Sequence, residues 1–469
     1  MGFTEFVKHM RYKSLYKPNE LYWGLGIEEE TYMQFTKLIN VAAPILRSCH
    51  MPDRYSVDYY KSYKPSYLTA IYELFPDEYG FFALPYYINS HAFIHMDCSG
   101  NHITTYEKNP KPKPKFNGET FFDLLKNFIP KKELCCSDAK IFTELFNKNC
   151  IFDGDSIEFM TQNFYKAKVN TIIDELIISK KDLLQSINTF LVKNKIHRDK
   201  GLLMYPEVNP GFAVFYSNPK NVAMFNNGTY HINITLPTLL GEYDKQDIPR
   251  ILDIEKFKYD HKKYIRFIQW LEPFVIGVYG TADPLSKVSD LYSKASQRCA
   301  ISRYIGIGTY DTSSMSTGKI LTQPIEKIRG SDNDFWWYKI YHSQSGYEPL
   351  KEIGMDINFR KHYNHGVEIR FIDWFPEKDL KELMEFYVYL ADLSITGFLP
   401  TEAVMSELWN GLVVDILRDG KECIVSGRTL EMYEFILSMS LKEGTLENVF
   451  GQICAQLKDK KGICAKYML

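Results

Sequence analysis

The chain has 469 residues, 45% of them hydrophobic, enough for a large core and two or three domain-sized units. Its formal net charge of -2 argues against a protein whose main task is to hold nucleic acid, leaving room only for a local basic groove. Nine scattered cysteines without a CxxC pair argue against a zinc ribbon or disulfide scaffold and fit reduced thiols in a cytoplasmic protein, and neither a secretory signal nor a window apolar enough to span a membrane is expected.

The first predicted element is a strand within Leu21 to Phe35. Tyr22, Trp23, Tyr32 and Phe35 favour extended backbone, and no proline interrupts it. Inside it lies Glu28-Glu29-Glu30. Alternation of side chains puts Glu28 and Glu30 on one face, about 7 Å apart. Two readings are open: a solvated acidic face on an edge strand, or a buried pair whose repulsion a divalent cation offsets. A helix over Ser66 to Leu74 follows, then strands at Phe81–Tyr87 and His91–Asp97, a Ser99-Gly100 turn and a returning strand at His102–Tyr106. Lys108 to Lys115 alternates Lys and Pro and reads as an extended surface segment. Residues 118–150 read as short helices, part of a peripheral insertion near 100–150.

Asp153-Gly154-Asp155 is a turn, and Ser156 to Thr161 is a strand carrying Glu158, with Asp155 a competitor for its role. A long helix runs from about Lys166 to Asn194, with Val169, Ile172, Ile173, Leu176 and Ile177 at helical spacing. Residues 202–216 read as extended. Gly228 to Pro237 alternates strictly and predicts a strand with His231 and Asn233 on one face. Tyr259 to Gly277 reads as a helix, and 296–334 as a Gly/Ser/Thr-rich loop over a site. Gly366 to Trp374 is a strand with Glu368 and Arg370 two residues apart, followed by a helix from about Lys378 to Ile395. The last seventy residues read as helices. Strands separated by long helical connections predict an α+β fold with a partly antiparallel sheet.

Four strands thus carry acids or an imidazole on what should be one sheet face: Glu28 with Glu30, Glu158, His231 with Asn233, and Glu368 with Arg370. A charged sheet face is poor for stability and makes sense as the floor of a site for metal ions and an anionic ligand. Four carboxylates, one imidazole and no Cys favour Mg²⁺ or Mn²⁺ over zinc. Arg370 cannot be a ligand, but it can neutralise a phosphoryl group or a substrate carboxylate beside the metals. Other patterns fall short. Ser316-Thr317-Gly318-Lys319 lacks the first Gly of a P-loop, and His197-Arg198-Asp199 stands without the rest of a kinase pattern. Gly24 and Gly26 are too few for a dinucleotide fingerprint, and His362 and His365 read as surface histidines.

The blocks Gly26-Ile27-Glu28-Glu29-Glu30, Ser156 to Thr161, Asn227 to Asn233 and Val367 to Asp373 occur in an order that resembles the carboxylate–amine ligase superfamily of glutamine synthetase and γ-glutamylcysteine ligase. The resemblance covers roughly residues 20–395. It implies a glutamine synthetase-like catalytic domain over 1–395, with a mainly antiparallel curved sheet, flanking helices and a helical extension at 396–469. It further implies ATP and Mg²⁺ (or Mn²⁺) as cofactors, small-molecule carboxylate and amine substrates, and amide formation through an acyl phosphate, with glutamate as a candidate acid. By position, Glu28, Glu30, Glu158, His231 and Glu368 resemble the metal ligands. His231, Asn233 and Arg303 fall to the nucleotide, and Arg370 resembles the arginine that contacts the transferred phosphoryl. Lys294 to Arg303 resembles the family's Ser/Arg loop, making Arg298 a substrate-carboxylate or phosphate residue. A glutamine synthetase strand with two further glutamates is not found, and 81–150 matches nothing in the superfamily, so the acid and the amine stay open. A guanidino kinase-like phosphotransferase and a non-catalytic nucleotide-binding scaffold are the alternatives.

Overall fold

The computed structural model describes residues 17–42, 81–87, 150–153, 156–195, 197–207, 209, 228–243, 249–282, 294–296, 310–311, 319–320, 357–361, 366–401, 403 and 406–469. In chain order the strands are β1 (Leu21–Thr31), β2 (Gln34–Ala42), β3 (Phe81–Tyr87), β4 (Cys150–Asp153), β5 (Ser156–Met160), β6 (Leu203–Met204), β7 (Thr229–Tyr243), β8 (Pro249–Ile251), β9 (Tyr310–Asp311), β10 (Lys319–Ile320), β11 (Ile357–Lys361), β12 (Gly366–Asp373), β13 (Ile424–Val425) and β14 (Gly444–Thr445). The α-helices are α1 (Val169–Asn194), α2 (Ile254–Tyr279), α3 (Leu380–Thr396), α4 (Glu407–Asp419), α5 (Gly427–Leu437), α6 (Leu446–Asp459) and α7 (Ile463–Met468).

The main sheet has the order β11-β12-β7-β1-β5-β4, with β8 attached to β7, and every pairing in it is antiparallel. β1 is therefore an interior strand, and the edge-strand reading of its acidic run is wrong. From Tyr22 to Thr31 every residue is buried. Its odd residues Trp23, Leu25 and Ile27 join the main core with Phe159 of β5, Ile232 and Ile234 of β7, and Val367 and Ile369 of β12. Helices α1, α2 and α3 supply the other half of that core through Ile172, Leu176, Leu183, Phe267, Leu271, Leu383 and Leu390. Helices packed on one face of an antiparallel sheet make an α+β fold. The even residues of β1 face the opposite way. There Tyr22 clusters with Phe164, Tyr165 and Leu240, and the Phe164 ring packs so closely over Gly24 and Gly26 that a Cβ on them would stand 2.4 and 2.6 Å from it. That packing accounts for these two glycines.

Two prolines show how the backbone is satisfied. β7 is longer than the alternating run predicts, continuing through Pro237 to Tyr243. The β1–β7 register shifts between Gly24↔Thr235 and Tyr22↔Thr238, so Leu236 and Pro237 together oppose Trp23 as a bulge. The Leu236 N–H donates instead to His261 Nε2 at 3.1 Å, while His261 Nδ1 donates to the Phe257 carbonyl at 2.8 Å. In α2, Pro273 has no N–H for the carbonyl four residues back. That carbonyl, of Gln269, accepts from Trp409 Nε1 of α4 at 3.1 Å. α2 also begins earlier than its apolar pattern predicts, because the Asp253 side chain caps it by accepting from Lys256 N at 2.9 Å.

The C-terminal helices share the core of the sheet-facing layer through Val449, Ile453 and Cys464. The buried Asp392 carboxylate of α3 accepts the N–H groups of Gly462, Cys464 and Ala465 at 2.9, 2.6 and 2.9 Å, which fixes the start of α7. A second sheet has the order β3-β2-β6. The predicted helix at 66–74, the strands at 91–97 and 102–106, the Lys/Pro segment and nearly all of 118–150 and 296–334 lie outside the described residues, as do His362 and His365. Among the described residues no helix is long and apolar enough to cross a membrane.

Candidate metal centre

Strand pairing brings the acidic positions together. Glu28 of β1 lies directly opposite His231 of β7, and Glu30 opposite Thr229. On the other side of β1, Glu30 lies opposite Glu158 of β5. Asn233 of β7 faces Gly26 of β1 on one side and Glu368 of β12 on the other. Directly opposed residues in an antiparallel pair share a face. Glu28, Glu30, Glu158, His231, Asn233 and Glu368 therefore share the face away from the main core, and all are buried.

His231 is the hub. Its Nδ1 stands 3.4 Å from Glu28 Oε2 and 3.9 Å from Glu368 Oε1. Its Nε2 stands 3.5 Å from Glu30 Oε1 and 3.2 Å from Thr229 Oγ1. Asn233 Nδ2 faces Glu28 Oε1 at 3.4 Å. The β12–β7 register shifts between Ile369↔Ile232 and Ile372↔Tyr230, so Arg370 and Phe371 together oppose His231 as a bulge. Arg370 Nη1 donates to Glu368 Oε1 at 2.8 Å, a charge-assisted bond within the basin.

One ligand atom each from Glu28, His231 and Glu368 lies within 4.8 Å of the other two. An octahedral ion with bonds of about 2.1 Å holds its ligand atoms about 3.0 Å apart when adjacent and about 4.2 Å when opposite. The spacings around His231 fall close to that range. Oxygen-rich donors with one imidazole suit a hard divalent cation. Glu30 and Glu158, paired across β1 and β5, extend the acidic wall to one side. Arg298 and Arg303 lie outside the described residues. Asp373 does not join the basin: its carboxylate accepts from Thr281 N at 2.8 Å and Ser296 Oγ at 3.0 Å, tying two loop segments to the end of β12.

The middle acid of the run goes elsewhere. Glu29 points to the helix side, where its Oε1 accepts from Lys180 Nζ of α1 at 2.5 Å and from Trp374 Nε1 at 2.6 Å. Lys180 also pairs with Glu377, in the short 3-10 turn at Glu377–Asp379. Burial pushes the Glu29 carboxyl above its ordinary range, against the pull of Lys180. At Glu377 burial acts the same way, but the Lys180 ammonium outweighs it and leaves that carboxyl below its ordinary value. Sequence reasoning passed over this cluster, although two signals pointed to it. Period-two alternation sends Glu29 to the apolar face, and Lys180 sits in the core stripe of α1 between Leu176, Leu183 and Ile187.

No family model matches the chain. Over 417 residues it is 39% identical to the uncharacterized protein R704 of Acanthamoeba polyphaga mimivirus, an alignment that spans 88% of this chain and 70% of that protein.

Proposed function

The chain belongs to the same family as that mimivirus protein, and we propose that it is an ATP- and Mg²⁺-dependent carboxylate–amine ligase of the glutamine synthetase and γ-glutamylcysteine ligase type. The observation that carries this reading is the meeting of Glu28, His231 and Glu368, from three strands far apart in sequence, within one buried basin. The antiparallel sheet with helices on one face is compatible with a glutamine synthetase-like catalytic domain, although the sheet is open and not curled as that resemblance implies.

In this reading Glu28, His231 and Glu368 would hold one divalent cation, and Glu30 with Glu158 would line the adjoining wall for a second. Mg²⁺–ATP, when bound, would supply the phosphoryl group that activates the substrate carboxylate. The residues of the chain position and neutralise. Arg370, paired with Glu368, places a positive charge for an anionic oxygen beside the metals. The burial of the basin keeps water from the activated acid. Asn233 orients Glu28. Arg298 and Arg303 are assigned by sequence position to the substrate carboxylate and the phosphates, and the cytoplasm is the compartment the reading fits.

Phosphate release from ATP with glutamate and a panel of amines, with the organic product identified by mass, tests the proposal. The expected result is ADP and phosphate in step with an amide. A phosphorylated guanidine would instead indicate a guanidino kinase, and no nucleotide binding at millimolar ATP a scaffold; either would overturn the ligase.

A further inference from the structure

Glu29, Lys180 and Trp374 form a buried polar bridge on the reverse side of the basin. Glu29 lies between the two basin carboxylates of β1. Lys180 comes from the middle of α1, and Trp374 directly follows β12. One carboxylate oxygen accepts from both the ammonium and the indole N–H. The ammonium also faces the rings of Tyr205 and Trp374, 4.6 and 5.8 Å from their centroids, and pairs with Glu377. Strands β1 and β12 are not neighbours, because β7 runs between them. The Glu29–Trp374 bond is thus a direct tie across β7, between the strand that bears Glu28 and the end of the strand that bears Glu368.

We propose that Glu29 and Lys180 are positioning residues for the metal basin: they fix the rotation of β1 about its axis and its offset from β12, and so the spacing of Glu28 and Glu368 around His231. The inference rests on the reading of the basin as a divalent-cation site. Three consecutive glutamates do not by themselves say which of them faces the core. A one-residue slip of β1 would send Glu29 into the basin and Glu28 and Glu30 into the helix layer. It would leave one glutamate against Lys180 and Trp374 Nε1 and bury a second on the helix side, beyond the one that this pair neutralises. Buried ion pairs add little net stability, and fixing a register is their best-attested use. Groups that orient metal ligands from behind alter metal affinity by about 10–100-fold when removed.

The test is Mn²⁺ titration of the full chain, read by the electron paramagnetic resonance of the free ion, with circular dichroism to verify folding of each variant. Wild type is expected to bind Mn²⁺ and Glu28→Gln to lose it. Lys180→Met is expected to weaken binding about tenfold or more, and Lys180→Arg to recover most of that loss. Glu29→Gln leaves Lys180 paired with Glu377, so it keeps the fold if Lys180→Met does not, and it is expected to weaken Mn²⁺ binding severalfold. Mn²⁺ binding at wild-type strength in folded Glu29→Gln would overturn the positioning role while leaving the basin intact. Absence of Mn²⁺ binding in the wild type would overturn the basin reading, and the positioning role with it.

Discussion

The two faces of β1 treat the same residue type in opposite ways. On the helix side, Glu29 meets a lysine and an indole N–H from the chain itself. On the other side, Glu28 and Glu30 meet an imidazole that also faces Glu368, and Glu30 lies opposite a further carboxylate, Glu158. On the helix side Glu29 is paired with a cation of the chain, Lys180. The basin side sets Glu28, Glu30, Glu158 and Glu368 around one imidazole and the Arg370 guanidinium, a carboxylate-rich group of the kind that suits a divalent cation. Adjacent residues of one strand thus separate a structural use of glutamate from the metal-binding use we propose.

The largest effect is expected at the basin. Glu368→Gln and Glu28→Gln should each lower Mg²⁺ affinity by more than about 100-fold, beyond what residues behind the ligands cost, and abolish phosphate release. Calorimetry and a phosphate assay check this, and the comparison breaks if either variant turns over normally. On the helix side the effect should fall on stability. Lys180→Met leaves Glu29 and Glu377 without their shared cation and should cost about 3–5 kcal/mol in urea unfolding. Gly26→Ala should cost about 1–3 kcal/mol, because its Cβ would stand 2.6 Å from the Phe164 ring beside the basin.

The smallest effect is a pH dependence. Glu377 has its carboxyl lowered by Lys180, so the folded state binds its proton more weakly than the unfolded chain does. Its contribution is present above the ordinary carboxylate range and is lost as pH falls through the lowered value. Glu377→Gln should therefore narrow the gap to wild type as the medium is acidified, measured as urea midpoints between about pH 3 and 7. A gap that widens on acidification would contradict the pairing.

Much of this arrangement was legible in the chain, and the misses have physical causes. Period-two alternation put Glu28 with Glu30, His231 with Asn233 and Glu368 with Arg370 on shared faces, because strand geometry leaves no other choice. Alternation cannot say which strands are neighbours, and so it left open whether β1 was an edge. That depended on β7 and β5 pairing on either side of it. The bulge at Arg370 and Phe371 was equally hidden, since a register shift is a property of two strands together. The full extent of β7 was obscured by Pro237, which ends an alternating run on paper but sits in a bulge whose freed N–H, on Leu236, finds His261. Alternation alone also assigns Glu29 to the core side, where a buried carboxylate asks for a cation such as Lys180.

The most direct test is a crystal structure of the full chain grown with Mn²⁺, using the anomalous scattering of the metal. The account predicts an anomalous peak about 2.0–2.3 Å from a Glu28 oxygen, a His231 nitrogen and a Glu368 oxygen. A fully occupied peak elsewhere, or none at saturating Mn²⁺, would contradict it.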